Sequence, residues 1–114
     1  MGAATAATAS GRAGEVGYAA GALGYDALVA GDVRAAEAQI EANRQADAND
    51  PARLINLGYI HMQTGRYRSA QALFEAARDS QRHFDVELAN GEVADTRTVA
   101  RRALSRMTHM VASR

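Results

Sequence analysis

The chain has 114 residues, with thirteen basic and thirteen acidic side chains, so its formal net charge is zero. That length suits one domain with one modest core. Because the chain contains no cysteine, disulfides and zinc sites built on thiolates are excluded. Apolar residues make up 47% of the chain and aromatic residues only 5%, with alanine supplying much of the apolar count. Since alanine is the best helix former, this composition favours an all-α fold.

The charges are distributed unevenly along the chain. Residues 1–95 carry eight arginines and thirteen acids, whereas residues 96–114 carry five arginines and no acid. A basic C-terminal segment on an acidic body favours docking of one on the other. All basic residues are arginine, which is typical of GC-rich coding sequence and indicates a bacterial source.

The first ten residues are a low-complexity stretch of mainly alanine and threonine. They lack the basic and apolar regions of a signal peptide, and no apolar run approaches the length of a membrane-spanning helix. We therefore predict a disordered tail over residues 1–13 of a soluble protein. Both the bacterial cytoplasm and, for a mature exported chain, the periplasm stay open.

Two helical segments joined by a glycine turn are predicted after the tail. The first covers about residues 14–29, and Gly31 ends it. Asp32 is a typical N-cap for the second, which covers about residues 33–47.

The next two helices have stronger boundary signals. Asp50 precedes a proline, and an N-cap followed by proline at the first helical position predicts a third helix over residues 51–63. Gly65 ends it as Gly31 ends the first, because glycine readily adopts the positive φ that such a turn needs. A fourth helix is predicted over residues 67–80.

The sequence then changes in pattern. Apolar and polar residues alternate from Phe84 to Leu88, and Asn90-Gly91 follows. Asn-Gly beside alternating residues is typical of a tight hairpin turn. A short β-hairpin is therefore predicted over about residues 84–94, with an irregular loop as the alternative.

An amphipathic last helix is predicted over residues 96–112, with Asp95 or Thr96 as its cap. Its arginines lie opposite an apolar face. That face consists of Val99, Ala103, Leu104, Met107, Met110 and Val111.

The two helical pairs repeat each other at a spacing of 34 residues. The matched positions are Leu23 and Leu57, Gly24 and Gly58, Gly31 and Gly65, Ala36 and Ala70, and Ile40 and Phe74. This pattern resembles the tetratricopeptide repeat family, whose unit is a helix–turn–helix. The resemblance implies an all-α solenoid in which residues 17–50 form repeat one and residues 51–84 form repeat two. Glycine and alanine are expected where two helices approach most closely.

The resemblance has departures and is incomplete. Leu54 stands where tryptophan is usual, and His61 where another aromatic residue is usual. Two units are also fewer than a stable solenoid needs, because each unit covers only its neighbour. We therefore expect residues 96–112 to form a capping helix over the second unit, which completes a single domain over residues 14–114.

In this family the first helix of each unit lines a concave groove that holds a peptide or helix. Carried onto this chain, the groove would consist of Tyr18, Gly21, Ala22, Tyr25, Leu28, Ile55, Asn56, Tyr59, Met62 and Gln63. It lacks the basic cluster by which some members hold a terminal carboxylate, so an apolar helix or extended peptide is the expected ligand. The expected function is a protein-interaction module or assembly factor with a protein partner. Alternatively, the groove packs against the protein's own tail or last helix.

Two other functions stay open. Four glycines at helical spacing in the first helix allow a structural subunit that forms a homo-oligomer through its Gly/Tyr face. The arginine-rich last helix allows an adaptor to anionic membrane or nucleic acid, although overall neutrality argues against both of these partners.

The sequence predicts no enzyme, metal or cofactor. His61, His83 and His109 are far apart, and no pair has the spacing of metal ligands. No phosphate-binding loop, nucleophilic triad or thiol is present in the sequence.

Overall fold

The computed structural model describes residues 7–9, 23–43 and 48–112. The helices are α1 Tyr25–Val29, α2 Val33–Ala42, α3 Pro51–Gln63, α4 Tyr67–Asp79 and α5 Thr96–Ala112. The strands are β1 Ala7–Ala9, β2 Asp85–Leu88 and β3 Val93–Asp95. The described part is therefore mostly helical, as the composition predicts, with one small sheet.

Helix α1 begins later than the predicted span of residues 14–29. Its N-cap is Gly24, whose φ of 61° is left-handed, so a right-handed helix cannot run through this residue. The prediction of one helix across Gly24 is wrong, and residues 14–22 lie outside the described part. A Cβ at Gly24 would lie 2.9 Å from the carbonyl oxygen of Ala36, so the close approach of α2 requires glycine here.

The predicted caps and turns of the helices are confirmed. The carboxylates of Asp32 and Asp50 each accept a hydrogen bond of 3.0 Å from a backbone N–H three residues later. Gly31 and Gly65 have φ values of 83° and 80°, which allow the chain to reverse between the paired helices. The end of the second predicted helix, residues 44–47, lies outside the described residues.

Helices α3 and α4 meet at Gly58. A Cβ built there would lie 2.7 Å from the ring of Phe74, which is itself buried. Gly58 and Gly24 occupy matched positions of the repeat, and at both a side chain would collide with the facing helix. This is the close approach that the sequence pattern predicts.

The predicted hairpin forms, and a third strand joins it. β2 and β3 pair antiparallel, with Val86 opposite Ala94. β1 pairs antiparallel with the other edge of β2, in a register that sets Thr8 opposite Glu87. At residues 7–9 the structure thus departs from the disordered tail expected over residues 1–13; the rest of that tail lies outside the described part.

Helix α5 packs against α4 and α3 with the apolar face that the sequence predicts. Val99, Ala103 and Met107 on this face are all buried. α3 is the central helix, since every residue from Pro51 to Ile60 is buried. The described core therefore surrounds α3 on more than one side, and α5 covers one of its faces.

Candidate functional site

A cleft of about 100 Å³ lies between α3, the β2–β3 hairpin and α5. Its walls are apolar and its mouth is polar. Ile55, Tyr59, Met62, Phe74, Val99 and Ala103 form much of the walls. The exposed lining residues form the mouth: Asn90, Glu92, Arg102 and Arg106.

The α3 wall of the cleft consists of three residues of the predicted groove. Ile55, Tyr59 and Met62 recur at intervals of four and three residues, which places them on one face of the helix. They are only 1%, 3% and 7% exposed, because α5 and the hairpin lie over this face. At this face of α3 the structure therefore has a covered cleft, where the sequence predicts an open concave groove.

The structure places the other predicted groove residues elsewhere. Leu28 lies in the core that α1 to α5 share, and Tyr25 packs at the edge of it. Buried Asn56 donates a hydrogen bond of 2.9 Å from its Nδ2 to the carbonyl oxygen of Leu23, which ties α3 to the turn before α1. Gln63 is exposed. The remaining predicted residues, Tyr18, Gly21 and Ala22, lie outside the described part.

Tyr25 lies near the sheet. Burial, followed by the negative charges of Glu87 and Asp26, raises the pKa of its phenol. A phenol is neutral at physiological pH even at its ordinary pKa, and the upward shift reinforces this. Tyr25 packs on the shared core rather than in the cleft wall.

The mouth of the cleft carries charges that the repeat pattern does not predict. Nη1 of Arg102 lies 2.7 Å from Oε2 of Glu92, and Asn90 holds the turn by accepting a hydrogen bond of 2.9 Å from the Glu92 N–H. Arg106 stands one helical turn beyond Arg102. Among the described residues it makes no hydrogen bond or ion pair. The sequence does show these two arginines one helical turn apart beside the apolar face of α5. The repeat pattern does not show which surface α5 covers, so it does not place them at the cleft.

The other arginines of α5 differ in what they contact. Arg97 donates from Nε and Nη2 to the carbonyl oxygen of Ser80, at 3.2 and 2.8 Å, and so closes the C-terminus of α4. Arg101 is exposed. Two of the four arginines in 97–106 are thus engaged by the described protein, which reduces the charge available to an anionic surface.

A second polar cluster joins α2, α3 and α4. Nδ1 of His61 lies 2.6 Å from Oγ of Ser69, and Arg66 holds Glu37 through two hydrogen bonds of 3.1 and 3.0 Å. The Arg66 hydrogen bond lowers the pKa of Glu37. Burial, followed by the charge of Arg66, lowers the pKa of His61, so its neutral form is favoured.

The second polar cluster contains the residue types of a Ser–His–acid triad, but its distances are not those of a triad. The Ser69 hydroxyl lies 2.6 Å from Nδ1 of His61 and 3.2 Å from the backbone oxygen of Arg66, and its single proton can be donated to either atom. Nε2 of His61 lies 4.0 Å from Glu37, beyond hydrogen-bond distance. The cluster is therefore best described as a link between three helices.

Within the described ranges, no group of three or more histidine and carboxylate side chains is arranged to hold a metal ion. None of the described helices is long and apolar enough to cross a membrane. Comparisons of the chain with models of protein families, with curated proteins and with solved structures find no match.

Proposed function

We propose that the protein is a tetratricopeptide-like interaction module or assembly factor that binds a protein partner. Its two units would be α1–α2 and α3–α4, with α5 as the cover of the second unit. The matched glycines support this proposal, because Gly24 and Gly58 each admit the facing helix at the same point of the 34-residue repeat. The paired turns at Gly31 and Gly65 support it as well.

The observation that carries the function is the apolar cleft on the α3 face. Three of its wall residues, Ile55, Tyr59 and Met62, are side chains that would line the groove in a tetratricopeptide protein, and they border an accessible space. Concave apolar sites with a few polar groups at the edge are where proteins bind ligands. The polar residues of the mouth, which belong to α5 and the hairpin, would orient the ligand in the cleft.

The size of the cleft indicates how a partner would bind. An apolar cavity of about 150 Å³ is enough to hold benzene, so about 100 Å³ admits one aliphatic side chain and not the face of a helix. The partner is then an extended peptide, or a helix that inserts a single residue. At many interfaces a few side chains that fill well-packed, desolvated pockets carry most of the binding energy.

Selection from a displayed library of random peptides tests the proposal. Peptides that bind the full chain should share one aliphatic residue and lose at least about tenfold in affinity to Ala103→Leu, because the larger side chain fills the cleft. Ala72→Leu is the matched control, since Ala72 is exposed on α4 and does not line the cleft.

The melting temperature of each variant shows whether the fold survives. If Ala103→Leu is unstable, the smaller Ala103→Val serves in its place. Failure to select any binding peptide, or equal binding to wild type and to a folded cleft variant, would contradict the proposal.

A further inference from the structure

We infer that the cleft selects an acidic peptide segment, in which Asp or Glu flanks the aliphatic anchor and its carboxylate pairs with Arg106. This inference rests on the proposed function and names the chemistry of the ligand. It assigns a specificity role to α5, which lies outside both repeats.

The charges at the mouth of the cleft do not balance. Arg102 and Arg106 provide two positive charges there, and Glu92 provides one negative charge. Glu92 is held by Arg102 at 2.7 Å, whereas Arg106 pairs with no residue in 7–9, 23–43 or 48–112. A net positive charge therefore remains at the side of the mouth where Arg106 stands.

Arg106 is close enough to act on a ligand in the cleft, because it is one of the residues that line it. The guanidinium presents donors in a planar fork that matches both oxygens of a carboxylate. Because Arg106 is exposed, this pairing contributes the modest free energy of a surface ion pair. A peptide that places a carboxylate next to its anchor residue satisfies both parts of the site.

Glu92 adds discrimination against other ligands. Its carboxylate stands on the hairpin side of the mouth and is tied to Arg102. An acidic ligand approaching from that side meets a like charge, whereas on the α5 side it meets Arg106. The ligand carboxylate is therefore expected on the Arg106 side, so a peptide with an acid on only one side of its anchor has one preferred direction.

Tripeptides with acetylated and amidated ends carry no terminal charge, so they test the side-chain charge alone. Acetyl-Glu-Leu-Glu-amide and acetyl-Gln-Leu-Gln-amide differ only in charge, and their affinities for the full chain can be measured by NMR titration. The acidic peptide is expected to bind about two- to fivefold more tightly at low salt, which is the range for an exposed ion pair. This preference should shrink as salt is raised.

Two variants test whether Arg106 is the source of the preference for the acidic peptide. Arg106→Gln should remove the preference, so that the acidic and the neutral peptide bind the variant with about equal affinity. Arg101→Gln is the matched control, because it removes the same charge from the same helix at a residue that does not line the cleft. It should leave the preference intact, and equal losses in the two variants would overturn the inference.

The outcomes separate this inference from the proposed function. If both peptides bind equally and both shift the resonances of Tyr59 and Met62, the cleft is a binding site without charge selection and the inference fails alone. If neither peptide binds at millimolar concentration, the inference fails, and only the library selection decides the proposed function. Acetyl-Gln-Leu with a free C-terminal carboxylate is a third probe. If it binds more tightly than the acidic peptide, the site recognises a terminal carboxylate and not a side-chain carboxylate, and the inference is overturned.

Discussion

At the scale of single residues, the packing of α3 against α4 depends on the missing side chain of Gly58. The ring of Phe74 occupies the space that a Cβ would need, and both residues are buried. Elsewhere in a helix, alanine in place of glycine stabilises by about 1 kcal/mol. Here the collision should outweigh that gain, because overpacking a close contact costs about 1–3 kcal/mol.

We therefore expect Gly58→Ala to lower the free energy of unfolding, measured by urea denaturation, by about 1 kcal/mol once the gain in helix propensity is subtracted. A second substitution, Phe74→Leu, removes the ring that collides. On that background, Gly58→Ala should be neutral or stabilising. An unchanged loss in both backgrounds would mean that the Phe74 ring is not the cause.

At the scale of secondary-structure elements, Arg97 connects the end of α4 to the start of α5. A cation in the first turn of a helix is unfavourable, because it faces the positive end of the helix dipole. The Arg97 guanidinium instead reaches the C-terminus of α4, where the Ser80 carbonyl oxygen accepts two hydrogen bonds from it. A residue that is unfavourable for its own helix thus stabilises the neighbouring one.

Arg97→Ala should therefore destabilise the fold by about 1 kcal/mol, since charge-assisted hydrogen bonds are lost and some dipole repulsion is relieved. Chemical denaturation measures the loss, and amide exchange in the last turn of α4 should accelerate. Arg101→Ala, at an exposed position of the same helix, should stay within about 0.5 kcal/mol of wild type. A larger effect at Arg101 than at Arg97 would reject this account of the helix junction.

The sequence predicts those elements whose signals are local. The cap at Asp50, the turn at Gly65 and the hairpin at Asn90-Gly91 each depend on a few neighbouring residues, and all three form as predicted. The start of α1 at Gly24 does not follow from local signals, because it depends on how closely α2 approaches.

The candidate site is predicted only in part for the same reason. The repeat indicates Ile55, Tyr59 and Met62, since their spacing is a property of one helix. The arginines of the mouth escape prediction, because they join the cleft only through the packing of α5 on α3.

At the scale of the whole molecule, β1 joins the beginning of the chain to its last third. Alternate residues of β2 pair with different neighbours. The N–H of Leu88 donates to Glu92 at 2.8 Å, on the hairpin side, and Thr96 donates to Phe84 at 2.9 Å on that same side. By alternation, the backbone of Glu87 is directed to the other edge of β2, where Thr8 lies opposite.

Deletion of residues 1–10 should therefore expose one edge of β2 and leave the other paired. Hydrogen exchange of the Glu87 amide should accelerate strongly in the truncated chain, because its partner strand is gone. The Leu88 amide is the internal control, since its hydrogen bond lies within the hairpin and should keep its protection. Unpaired strand edges also promote association between chains, so the truncated protein should sediment faster as its concentration rises. Retained protection of Glu87 would show that β1 does not hold this edge in solution, and that the sheet consists of the hairpin alone.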